Sequence, residues 1–186
     1  MYGIRYVLAA AAGVVLFGGI TSAEPISLTS PAFKDGTPLA VKNAGANKAN
    51  PNCVGENVSP PLNWANAPAD TKSFALIMID PEGGGGLGSV QWVGYGIPAS
   101  VTGFAEGEVS KPSDKYVGGK GTAGQSFYVG PCTPPNNNYH HYVFTLIATD
   151  LDSKELPPGL TRDELLGKLK GHAKGAVGLV GLFKKP

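Results

Sequence analysis

A single, mostly β domain is what this sequence predicts, with a sandwich or large sheet favoured over a βαβ repeat. Three observations predict it. Several apolar runs have strand length, among them Ser73–Asp80, 91–97 and 143–150. The 27 glycines and 16 prolines fall mostly between such runs, where they punctuate rather than interrupt. One helix start is clear, at Thr161.

Taken in order, residues 1–23 carry Arg5, an apolar run over 6–20 and the triplet Thr21-Ser22-Ala23. That is the layout of a secretory signal peptide cleaved after Ala23, and it makes 24–186 the domain. The alternative is a retained membrane anchor, but the run is short for a span and no stop-transfer flank follows. Residues 24–52 alternate short apolar pieces with Pro, Gly, Asn and Lys, and read as one or two edge strands with turns. Paired prolines keep the next stretch, 53–64, extended; it includes the formal glycosylation sequon Asn57-Val58-Ser59.

The continuous apolar run of Ser73–Asp80 predicts a strand buried on both faces and ending in a carboxylate. A glycine-rich link over 83–88 leads into a second strand, 91–97. Gly83, Gly85 and Gly88 fit a dinucleotide pattern, but a strand follows where a helix N-terminus is required, so the link reads as a flexible connection. Gly118-Gly119-Lys120-Gly121-Thr122 lacks the first glycine of a phosphate loop. Residues 101–125 show little periodicity and read as surface loop. The Pro- and Asn-rich segment 130–138 is a shaped loop that feeds a strand opening with His140-His141-Tyr142. Thr161 and Glu164 form a capping box for a C-terminal helix with Leu165, Leu166 and Leu169 on its apolar face, and Gly171 can stop it. Residues 176–183 are a last strand or short helix.

The whole chain carries 15 basic and 14 acidic residues. Loss of Arg5 with the leader leaves 14 of each, a net charge of zero. That balance supplies no basic footprint for nucleic acid or an anionic membrane surface, so any partner is met through a local site. In an exported chain the two cysteines, Cys53 and Cys132, are expected to form a disulfide. Closing their 79-residue loop would stabilise by about 4–5 kcal/mol on the chain-entropy model. Two cysteines without paired ligand spacing do not supply a zinc site, and neither a metal nor a cofactor is expected.

Strand alternation puts His140 and Tyr142 on one face and His141 on the other. Asp80 and Gln91 end and begin neighbouring strands, so a polar cluster of Asp80, Gln91, His140 and Tyr142 can converge at one end of the sheet. Backbone amides around Gly130 can add donors, though Pro131 supplies none. A donor-rich cup of this kind suits a small anion; the plain alternative is ordinary polar groups at strand ends. No G-x-S-x-G elbow accompanies His140, which disfavours a hydrolase and leaves a non-enzymatic role.

Several spaced motifs carry a family resemblance: Asn57-Val58-Ser59-Pro60-Pro61-Leu62-Asn63-Trp64, the run through Asp80-Pro81, and Gly130-Pro131-Cys132-Thr133-Pro134-Pro135 with His140-His141-Tyr142. Together with Gly171-His172 and Val180-Gly181-Leu182-Phe183, they resemble the bacterial branch of the phosphatidylethanolamine-binding proteins, also called Raf kinase inhibitor-like proteins. The resemblance implies a β-sandwich with Greek-key connections and a C-terminal helix. It also implies a pocket for phosphate or phosphorylethanolamine-like anions built from Asp80, His140, Tyr142, Gly130 and Pro131. This sequence departs from the family pattern where Gln91 replaces a histidine, and where glycines follow Asp80-Pro81-Glu82. The expected function is a secreted or periplasmic binding protein with a small anion pocket. Its alternative is an inhibitor or interaction module acting on a partner protein such as a protease, with 101–125 as the contact surface.

Overall fold

A computed structural model describes residues 24–135 and 138–186. The leader expected over 1–23 lies outside the described residues. Nine strands follow one another: β1 (Ser27–Thr29), β2 (Thr37–Pro38), β3 (Leu62–Ala65), β4 (Ser73–Asp80), β5 (Ser89–Pro98), β6 (Gly103–Phe104), β7 (Val117–Gly118), β8 (His140–Thr149) and β9 (Ala173–Phe183). A single-turn segment, α1 (Gly83–Gly86), joins β4 to β5, and α2 (Arg162–Leu169) precedes β9.

The strands form two sheets, a small one in the order β1-β3-β6 and a large one in the order β2-β9-β8-β4-β5-β7. Strand β4 lies inside the large sheet, antiparallel to β5 on one side and to β8 on the other. Both of its edges are paired, and all of its residues but the partly buried Ile79 are buried. Leu76, Met78, Trp92, Phe144 and Leu146 pack with Leu28, Leu62, Trp64 and Phe104 of the small sheet. On the opposite face Ala75, Ile77, Val93, Tyr95 and Ile147 pack beneath Leu165 and Leu169 of α2. Two covered faces explain why β4 reads as a continuous apolar run rather than an alternating one.

Helix α2 begins as its sequence indicates. Thr161 Oγ1 accepts the Glu164 amide at 3.3 Å, and Glu164 Oε2 accepts the Thr161 amide at 2.9 Å. Gly171 follows with φ 86°, in the left-handed region where glycine is the residue of least strain. The last segment is a strand, longer than 176–183, because all of β9 pairs along β8 from His140↔Phe183 to Thr149↔Ala173.

Two stretches differ from their sequence reading. Residues 101–125 are not simply surface loop: they contain β6 and β7 and bury Phe104, Val109 and Tyr116. Edge contacts hold the two aromatics on Trp92, with ring centroids 5.9 Å away for Phe104 and 5.4 Å for Tyr116. Single aromatics in a loop anchor it strongly but leave no periodicity to read. The link after β4 is a tight turn, α1, broken at Gly84 (φ 62°) and Gly85 (φ 73°).

Candidate functional site

The end of the large sheet where β4 finishes and β8 starts holds the buried polar groups. The entry to β8 alternates as strand geometry requires: His140 buried, His141 exposed, Tyr142 buried. Asp80, the last residue of β4, lies beside His140, with its two carboxylate oxygens 2.9 and 3.1 Å from Nδ1. Both side chains are nearly sealed, 5% exposed for Asp80 and 8% for His140. The α1 turn adds a further donor, since the Gly83 amide donates to Asp80 Oδ1 at 3.0 Å. Asp80 is thus satisfied, and His140 Nε2 is the ring atom left for a ligand.

The Tyr142 hydroxyl is buried near the Asp80 carboxylate, but its geometry completes no hydrogen bond with a described residue. Burial, reinforced by the Asp80 carboxylate, holds its pKa far above the ordinary tyrosine value. The phenol therefore stays protonated and able to donate. On the outer face His141 is bonded to Glu82 twice, from its amide to Oε2 at 3.0 Å and between Nδ1 and Oε1 at 2.8 Å. Partial burial raises the Glu82 carboxyl, but the His141 bonds outweigh it and hold its pKa below the ordinary glutamate value.

Asp80, Glu82 and His140 also place one potential metal-ligand atom each within 4.8 Å of the others. Each of the three already has a protein partner: Asp80 and His140 bond each other, and Glu82 bonds His141. The geometry is that of two adjacent carboxylate–imidazole pairs.

Gln91 sits elsewhere. In the β4–β5 pairing Met78 faces Trp92 and Ile79 faces Val90, so Gln91 is the extra residue of a β-bulge. It lines a cavity of about 520 Å³ whose walls also include Asn47, Asn57, Gln125 and the Cys53–Cys132 disulfide. Asp80, His140 and Tyr142 are not among the residues lining it. The cavity still abuts their end of the sheet, because Ser89 lines it and is the register partner of Asp80.

Gly130 and Pro131 are not among the residues lining that cavity; their backbone bonds hold the loop before β8 against the segment before β3. The Gly130 amide donates to Asn57 Oδ1 at 2.9 Å, and the Pro131 carbonyl accepts the Gly45 amide at 2.8 Å. A side chain at Gly130 would collide with the Asn43 carbonyl, which is why glycine is required there. Asn57 is the residue sequence reasoning passed over. Its nitrogen donates to the Tyr128 carbonyl at 3.0 Å, so the sequon nitrogen is engaged inside the fold. The available signal was a lone Asn before a Pro-Pro extended segment: Asn57 adopts φ 57°, a region Asn tolerates better than most residues.

The two-sheet β domain has counterparts among known proteins. The sequence profile described as phosphatidylethanolamine-binding protein matches residues 29–184. A Mycobacterium tuberculosis protein named as a lipoprotein, LppC, is 35% identical over 163 residues, covering 88% of this chain and 74% of its own length. A UPF0098 protein of Methanothermobacter thermautotrophicus is 36% identical over 135 residues, 72% of this chain and 87% of its own. A phosphatidylethanolamine-binding protein homologue from Chlamydia trachomatis superposes with a TM-score of 0.74 at 30% identity, covering 87% of this chain and 99% of its own. YbcL of E. coli, described as a member of the mammalian family, gives 0.77 at 25% identity with the same coverage. This chain belongs to the phosphatidylethanolamine-binding protein family.

Proposed function

We propose that this chain is an extracytoplasmic, non-enzymatic binding protein that takes a small anionic, phosphate-bearing group where β4 and β8 meet. The observation that carries this reading is the Asp80–His140 pair with its unpartnered neighbour, Tyr142. Asp80 orients the imidazole, so that Nε2 and the Tyr142 hydroxyl act as donors to one oxyanion. Gln91, which cannot become cationic, contributes at most neutral hydrogen bonds from the neighbouring bulge. A disulfide, and a relative named as a lipoprotein, support the extracytoplasmic part.

The test is calorimetric titration with inorganic phosphate and phosphorylethanolamine at about pH 5.5 and about pH 7.5, on either side of the imidazole range. Binding that tightens at the lower pH and disappears in a folded His140→Ala variant is the expected result. Equal affinity in the variant overturns the assignment. The other reading, an interaction module using 101–125, has weaker support because Phe104, Val109 and Tyr116 of that stretch are committed to the core.

A further inference from the structure

The cavity beside Gln91 has a chemistry of its own. Among the described residues, no acidic, basic or histidine residue lines it. Its polar wall is instead built from carboxamides. The Asn47 and Asn50 side-chain oxygens accept the Ala49 and Asn52 amides, both at 3.0 Å, which fixes the two side chains and leaves each Nδ2 as an oriented donor. Gln125 Nε2 donates to the Gln91 carbonyl at 2.9 Å, locking that amide across the bulge, while its Oε1 is buried with no partner. Between these groups lie apolar patches at Ala46 and Val129.

We infer that this cavity binds an uncharged, hydroxyl-rich group, a sugar or other polyol. A carboxamide presents a donor and an acceptor side by side, and a hydroxyl is the ligand group that uses both. A charged ligand would lose its hydration here without meeting a counter-charge, so the same wall discriminates against anions and cations. The apolar patches suit the C–H faces of a ring, and the volume lies in the range of small-ligand pockets. The site goes beyond the anion reading, since of the residues proposed for that anion only Gln91 is on its wall, while Asp80, His140 and Tyr142 are not.

The experiment follows side-chain amide signals in nitrogen–proton spectra of the purified protein, with methyl α-D-glucopyranoside as the neutral probe and glucuronate and glucosamine as charged isosteres. The Gln91 and Gln125 amide signals are expected to shift with the neutral probe, and both charged isosteres to bind about tenfold more weakly, the equivalent of about 1.4 kcal/mol. Asn50→Ala, a rim change that leaves the core alone, should weaken the neutral probe several-fold. Equal response to all three sugars overturns the inference. So does a pair of glutamine signals that move with inorganic phosphate but not with the neutral sugar. Loss of phosphate binding in His140→Ala with sugar binding intact would keep the two sites separate, as argued.

Discussion

Asn57 ties two distant segments together with one side chain. Donating to the Tyr128 carbonyl and accepting the Gly130 amide, it joins the segment before β3 to the loop before β8. Asn57→Ala leaves an amide and a carbonyl without their partner and is expected to cost about 1–3 kcal/mol, measurable as a lower urea midpoint at an unchanged slope. Glu82 makes a pH-dependent contribution. Its carboxyl titrates below the ordinary glutamate value in the folded chain, so the stabilisation is present above the unfolded value and is lost as pH falls through the lower folded one. Urea midpoints followed from neutrality to about pH 3 should fall less steeply for Glu82→Gln than for the native chain. Parallel curves would remove Glu82 from the acid response.

At the scale of elements, the helix cap and the α1 turn carry separate predictions. Thr161→Ala breaks the capping box at the start of α2 and should lower stability by about 1 kcal/mol in thermal or urea unfolding. Gly83→Ala acts on the site: an added Cβ would lie 2.6 Å from Ser89 Oγ and 3.2 Å from Asp80 Oδ2. The turn must shift, so phosphate affinity should fall even where the melting temperature changes little. These elements also show what a sequence discloses. Strands β4, β5 and β8 and the cap of α2 are legible because burial and local hydrogen bonding set their patterns. Strand ends and alternation group Asp80 with His140 at one end of the sheet, and likeness to a family strengthens that grouping, but the direct pairing depends on register between strands 60 residues apart, which the whole sheet fixes. The bulge at Gln91 and the anchoring of 101–125 by Phe104 and Tyr116 depend on packing across sheets, and no local pattern encodes that.

At the scale of the whole molecule, the Cys53–Cys132 disulfide ties the loop before β3 to the loop before β8, with a sequence separation of 79 residues. The same loops meet through the Gly45–Pro131 and Asn57–Gly130 hydrogen bonds, so the native arrangement has other support. Reduction, or Cys53→Ala with Cys132→Ala, should keep the fold and lower stability by up to about 4–5 kcal/mol on the chain-entropy account. Unfolding curves with and without reductant check this, and coincident curves would show the crosslink to be redundant. The disulfide also makes strands β3 to β7 a closed covalent ring. A peptidase that cuts anywhere inside that ring, for instance beside Gly107 or Gly124, opens the chain without parting it. The nicked protein would keep its mass on a non-reducing gel and fall into two pieces only when the sulfurs separate.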